Sequence, residues 1–180
     1  MAKKPKAIKL NLSEHTLDVN VRKCNYELFD FREVEEYVKA LTGSRTYQYD
    51  AIRRTMIYLW GGGYKNLRQL AAENFKRKQS IQERFFTEDN FLRHLPLPDR
   101  LSGVIHMATG TGKSWVIFAV AYLSIVMKKA KRVLVLGPPS TIIEAGLREK
   151  FKRFMEDATL IGKLPPKYRN IPVTIIDETK

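Results

Sequence analysis

The 180-residue chain is 44% hydrophobic and 28% charged, a balance that excludes global disorder, and its single cysteine excludes an internal disulfide. Its 32 Lys and Arg residues against 19 Asp and Glu give a net charge of +13. This excess favours a polyanionic partner such as nucleic acid, with a purely solubilising surface as the alternative. The longest apolar run, residues 115–127, is shorter than the roughly 20 residues of a membrane span, so we expect a cytoplasmic protein without membrane contact.

Three amphipathic helices are predicted in the first part of the chain. Their apolar spacing places them at residues 31–41, about 44–60 and about 66–86. Pro96 and Pro98 cannot continue a helix, because each lacks an N–H donor and disfavours helical backbone in the residue before it. We therefore divide the chain into a mainly helical N-terminal region, residues 1–99, and a second region, residues 100–180.

The second region alternates short β-branched runs with helical stretches. Strands are predicted at residues 102–107, 132–136 and 171–176, and helices at about 112–128 and 141–155. This alternation is typical of βαβ units, in which parallel strands are joined by helices. The sequence thus predicts an α/β fold, with an incomplete parallel-stranded lobe that follows a helical region.

A glycine-rich loop between the first predicted strand and the following helix carries the strongest functional signal. Residues 108–114 read ATGTGKS. Glycines let the backbone turn tightly and bring its N–H groups within reach of phosphate oxygens, and the N-terminus of the next helix favours an anion. Lys113 would reach the β- and γ-phosphates of ATP, and the Ser114 hydroxyl would bind Mg²⁺. The predicted nucleotide contacts are Thr109, Gly110, Thr111, Gly112, Lys113 and Ser114.

Met107 departs from the general phosphate-loop pattern, which has Gly or Ala at this position. The resulting MATGTGKS resembles motif I of superfamily 2 helicases and translocases, and this resemblance implies a RecA-like P-loop NTPase lobe. Residues 133–140, VLVLGPPS, resemble motif Ia of the same proteins. That likeness implies contacts to the nucleic-acid backbone from Pro138, Pro139 and Ser140.

Residues 46–52, TYQYDAI, resemble the adenine-recognition element of these helicases. The resemblance implies that Gln48 reads adenine, since an amide can both donate to and accept from the edge of a base. An exposed helical glutamine is the alternative, because 65 positions separate Gln48 from Lys113. The segment at residues 60–75 resembles an insertion in helicase-like subunits of type III restriction enzymes and related phage-defence proteins.

Asp177 and Glu178 are candidates for the DExx box, in which carboxylates hold Mg²⁺ and position the attacking water. Thr179 and Lys180 depart from the family's pattern at the next positions, so the alternative is that the box lies beyond this sequence. The resemblance also implies a second RecA-like lobe, which would supply an arginine finger. We therefore expect this chain alone to bind ATP and Mg²⁺ but to hydrolyse ATP negligibly.

The leading functional hypothesis is the ATP-binding portion of an ATP-dependent DNA helicase or translocase of restriction or phage-defence type. Its expected partners are double-stranded DNA, the remaining lobe and a nuclease or methyltransferase subunit. One alternative is a module that binds nucleotide or nucleic acid without catalysis. Another is a P-loop NTPase that acts on a small molecule, in which the basic charge and the proline turn would have no role.

Overall fold

The computed structural model describes residues 16–136 and 141–176, except for the side chains of residues 141–145. Short 3-10 turns lie at Val21–Lys23 and Phe31–Val34. The α-helices of the described residues are α1 (Glu35–Thr42), α2 (Thr46–Trp60), α3 (Leu67–Arg77), α4 (Gln79–Phe85), α5 (Glu88–Arg93), α6 (Lys113–Val126), α7 (Thr141–Glu156), α8 (Ala158–Ile161) and α9 (Pro166–Arg169).

The prediction of an α/β lobe with parallel strands is wrong for the described part of the chain, which contains no strand. Residues 102–107, 132–136 and 171–176 lie outside the helices and form no ladder with any other described segment. Several of their apolar side chains face solvent, and Val104, Leu134 and Ile176 are each more than three-quarters exposed. A β-branched composition favours a strand only where a neighbouring strand and a covering layer complete it.

Contacts between residues divide the chain into two compact units. The first contains the described residues 16–20 and 64–103, and its helices are α3, α4 and α5. Its core is formed by Ala71, Ile81 and Phe91, around which partly buried apolar side chains pack.

The helix predicted over residues 66–86 is two helices, α3 and α4, in the structure. They are separated at Lys78, whose backbone is extended at φ −112° and ψ 108°. The Lys78 ammonium donates to the Thr16 carbonyl at 2.5 Å and pairs with Asp18 at 2.7 Å. The break therefore coincides with tertiary contacts of Lys78 to the segment that precedes residue 20.

The second unit contains residues 21–63, 104–136 and 141–176 of the described chain, and α6 lies at its centre. This helix packs against α1, α2 and α7. It is apolar on most sides, as expected for a helix that is covered by several others. Phe118 of α6 meets Phe151 and Phe154 of α7 at ring-centroid distances of 5.2 and 5.0 Å.

A polar cluster joins the 3-10 turn at Phe31–Val34 to α9 within the second unit. The carboxylate of Glu33 accepts hydrogen bonds from Lys167 Nζ at 2.6 Å and from the Tyr168 hydroxyl at 2.5 Å. These two donors hold the pKa of Glu33 below its ordinary value. The cluster therefore connects residues that are more than 130 positions apart in the sequence.

The predicted division into residues 1–99 and 100–180 stays a prediction about domains. Contacts within the described chain place residues 21–63 in the same unit as the residues that follow Gly103. The described helices include none that is both long enough and apolar enough to cross a membrane.

Candidate functional site

The glycine-rich loop at residues 108–112 leads directly into α6. Gly110 and Gly112 have φ angles of +82° and +78°, a backbone region that side chains with a Cβ rarely adopt. The Ala108 carbonyl closes the loop on itself: it accepts from Thr111 Oγ1 at 2.6 Å and from Lys113 Nζ at 2.9 Å. The predicted phosphate-binding lysine thus folds back over the loop.

The space around Gly112, as well as its backbone conformation, disfavours a side chain at this position. A Cβ built there would lie 2.5 Å from Gln48 Nε2 and 3.0 Å from Trp115 Cδ1. Both distances are shorter than ordinary van der Waals contact. A side chain at residue 112 would therefore require the Gln48 amide to move from its place against the loop.

Gln48 extends from the first turns of α2 to this loop. Its side-chain Nε2 donates to the Thr111 carbonyl at 2.5 Å and lies 3.5 Å from the Gly112 carbonyl. The residue is fully buried, at 0% exposure, so the interpretation of an exposed helical glutamine is wrong. The structure therefore brings together two sequence elements that are more than 60 positions apart.

The other end of the same amide is unsatisfied. Gln48 Oε1 is buried and accepts no hydrogen bond from the described residues. A buried acceptor without a donor costs about 1–3 kcal/mol, so it marks a place where a donor from elsewhere would be stabilising.

Tyr47 makes a contact that the sequence did not predict. Its hydroxyl donates to the Thr111 carbonyl at 3.2 Å, the same oxygen that accepts from Gln48. The Tyr47 side chain is 48% exposed, so it lies at the surface and not in the core. In the sequence, the one indication of this contact was that Tyr47 is adjacent to Gln48.

The relative position of α2 and α6 is fixed at their far ends. Trp60 Nε1 donates to Ser124 Oγ at 3.0 Å, and Ser124 Oγ donates to the Val120 carbonyl at 2.6 Å. Ser124 is buried between the two helices. This contact and the Gln48 contact hold α2 against α6 at two points along their length.

The structure describes only some of the other predicted site residues. Thr109 is exposed at the tip of the loop, and Ser114 is half-buried in the first turn of α6. The candidate carboxylates Asp177 and Glu178 and the proline-turn residues Pro138, Pro139 and Ser140 lie outside the described residues. Within the described ranges, no group of His, Cys, Asp and Glu side chains could hold a metal ion.

A comparison with known protein families gives a match that spans both parts of this site. The family described as type III restriction enzyme, res subunit, matches residues 42–178, a range that includes Gln48 and the glycine-rich loop. No curated protein and no solved structure matched the chain. Because the family match covers most of the sequence, the chain belongs to the type III restriction enzyme res-subunit family and carries its helicase-like, ATP-binding module.

Proposed function

We propose that this chain binds ATP with Mg²⁺ at the glycine-rich loop, as the ATP-binding part of a DNA helicase or translocase of restriction or phage-defence type. The observation that carries the proposal is the contact between Gln48 and the Thr111 carbonyl. This contact supports the proposal because an amide can pair with the edge of a base and the neighbouring loop has backbone suited to phosphates. Family membership supports ATP use independently of this geometry.

The phosphates would be held by the loop backbone, by the N-terminus of α6 and by Lys113. The Lys113 ammonium donates to a neutral carbonyl, that of Ala108, and its side chain is exposed. A phosphate oxygen carries negative charge, so it attracts the Lys113 ammonium more strongly than the uncharged Ala108 carbonyl does. Lys113 would therefore exchange the Ala108 carbonyl for phosphate.

The base would be read by Gln48. Its unsatisfied Oε1 can accept from the exocyclic amine of adenine, and its Nε2 can donate to a ring nitrogen. A buried acceptor of this kind would gain a donor that no described residue supplies. The amide chemistry of Gln48 thus fits adenine.

Ser114 is the residue that would hold Mg²⁺, since its hydroxyl stands in the first turn after the loop. Mg²⁺ bound there would neutralise part of the phosphate charge. Asp177 and Glu178 are the candidates for carboxylate ligands of the same Mg²⁺ and for positioning the attacking water.

The proposed partner is double-stranded DNA, together with a second RecA-like lobe and a nuclease or methyltransferase subunit. The net charge of +13 supports an interaction with a polyanion, and Pro138, Pro139 and Ser140 are proposed to contact its backbone. The helicase-like family supports nucleic-acid interaction in general.

Calorimetric titration with ATP and Mg²⁺ tests the proposal directly. Lys113→Ala should weaken ATP binding tenfold or more, which corresponds to about 1.4 kcal/mol. Lys131→Ala removes the same charge from another exposed lysine and should leave the affinity close to that of the unmodified chain. Equal ATP affinity for Lys113→Ala and the unmodified chain would contradict the proposed nucleotide site.

A further inference from the structure

We propose that Tyr47 is a positioning residue for the nucleotide base, because its hydroxyl keeps the Thr111 carbonyl hydrogen-bonded when Gln48 turns from that carbonyl to the base. The inference rests on the proposed function and adds to it a residue that acts through Gln48. It concerns a hydrogen-bond exchange within the second unit, between the start of α2 and the loop that precedes α6.

The starting point is a carbonyl with two side-chain donors. Thr111 O accepts from Gln48 Nε2 at 2.5 Å and from the Tyr47 hydroxyl at 3.2 Å. A carbonyl oxygen has two lone pairs, so both hydrogen bonds can form together. The two donors come from neighbouring residues in the first turn of α2.

In this arrangement the side-chain amide nitrogen of Gln48 is hydrogen-bonded to the loop. Its Nε2 faces two carbonyls, that of Thr111 at 2.5 Å and that of Gly112 at 3.5 Å. An amide nitrogen has two hydrogens, and here both are directed at the loop. The amide must therefore turn before it can donate to a base while its Oε1 accepts from the same base.

Each loop carbonyl keeps a donor after this turn. The Gly112 carbonyl already accepts from the Trp115 N–H at 3.0 Å, within the first turn of α6. The Thr111 carbonyl keeps the Tyr47 hydroxyl. Without that hydroxyl, the turn of Gln48 would leave Thr111 O without a side-chain donor, and base binding would carry the cost of a lost hydrogen bond.

The experiment compares a ligand that has a base with one that has none. ATP and inorganic tripolyphosphate are titrated, each with Mg²⁺, into the full chain and into Tyr47→Phe, Gln48→Ala and the double variant. We expect Tyr47→Phe to weaken ATP binding by about three- to tenfold, the equivalent of one ordinary hydrogen bond. Tripolyphosphate affinity should not change, because Gln48 stays on the loop when no base is present.

The double variant shows whether Tyr47 acts through Gln48. In the Gln48→Ala background no amide leaves the Thr111 carbonyl, so removal of the Tyr47 hydroxyl should have no further effect on ATP affinity. Tyr26→Phe is the matched control, since Tyr26 is an exposed tyrosine of the same unit. Circular dichroism confirms that each variant is folded.

Three results would overturn the inference while leaving the proposed function intact. Tyr47→Phe could bind ATP as well as the unmodified chain does, it could lose ATP and tripolyphosphate affinity equally, or its loss could persist in the Gln48→Ala background. Failure of the unmodified chain to bind ATP would instead overturn the proposed function, and this inference with it.

Discussion

Trp60 of α2 donates its indole N–H to the Ser124 hydroxyl of α6 at a distance of 3.0 Å. The two helices carry the two halves of the candidate site, since α2 presents Gln48 and α6 follows the glycine-rich loop. The same hydroxyl donates to the Val120 carbonyl, so Ser124 both accepts and donates while fully enclosed. A change at Ser124 is therefore expected to affect the site through the helix pair.

Ser124→Ala should lower the free energy of unfolding by about 0.5–1.5 kcal/mol, the usual net value of one hydrogen bond, because it removes the acceptor of the half-buried Trp60 indole N–H. Urea denaturation measures the loss. In a Trp60→Phe background no indole N–H remains, so Ser124→Ala should lower the free energy of unfolding by clearly less. An equal cost in both backgrounds would show that the Trp60–Ser124 hydrogen bond does not stabilise the pair.

Gly112→Ala should weaken ATP binding more than tenfold and lower stability by about 1–2 kcal/mol, the usual cost of a left-handed backbone for a residue with a Cβ. The added methyl also meets Gln48 Nε2 at 2.5 Å. Calorimetry and thermal unfolding report the two effects.

Gly146→Ala is the matched control for that substitution. Gly146 is an exposed residue of α7, and a Cβ there meets no atom within 4 Å. Alanine inside a helix is favoured over glycine, so this variant should be more stable by about 0.5–1 kcal/mol. A loss of ATP affinity in Gly146→Ala equal to that in Gly112→Ala would contradict the role assigned to Gly112.

Stability should fall in acid partly through Glu33. Its pKa is lowered by hydrogen bonds from Lys167 and Tyr168, so the folded chain holds the ionised form more strongly than the unfolded chain does. This contribution is complete above the ordinary glutamate pKa of about 4.3, and it is lost as the pH falls through the lowered value.

Thermal unfolding across the range from about pH 6 to pH 3 measures this contribution, since the range spans the ordinary glutamate pKa. Glu33→Gln should make the unfolding temperature less dependent on pH. Lys167→Ala should do so as well, because the hydrogen bond from Lys167 is the largest cause of the lowered Glu33 pKa. An unchanged acid response in both variants would show that the cluster does not contribute to folding.

The positive charge should appear as salt-dependent binding to DNA. A duplex of mixed sequence should lose affinity as salt rises from about 50 to 200 mM, with a log–log slope of about −0.9 for each phosphate neutralised. A second duplex of scrambled sequence should behave alike, since contacts to phosphate carry no sequence information. Fluorescence anisotropy measures both. Affinity independent of salt would mean that the charge only keeps the chain in solution.

The parts of the molecule set by local chemistry were predictable from the sequence. Apolar spacing located the helices that became α2, α6 and α7 to within a few residues. Glycine and lysine at fixed spacing predicted a tight loop before α6, which the structure contains, and the resemblance of residues 46–52 to an adenine-recognition element drew attention to Gln48. These signals depend on neighbours only a few positions away.

The parts that depend on distant partners were not predictable in this way. Residues 132–136 read as a strand, but a strand needs a paired neighbour, and the described chain provides none. The break at Lys78 involves contacts to Thr16 and Asp18, more than 55 positions away, with no glycine or proline to mark it. The Tyr47 hydroxyl likewise finds its acceptor in a loop 64 positions away.

The distance along the chain between α2 and α6 bears on how such a site tolerates evolutionary change. Residues 64–103 belong to the other unit, so the contact between Gln48 and Thr111 closes a long loop. Closure entropy grows only with the logarithm of loop length, and doubling the loop costs about 0.6 kcal/mol. Insertions or deletions between Gly63 and Val104 should therefore cost the second unit little stability, provided that Gln48 still reaches Thr111.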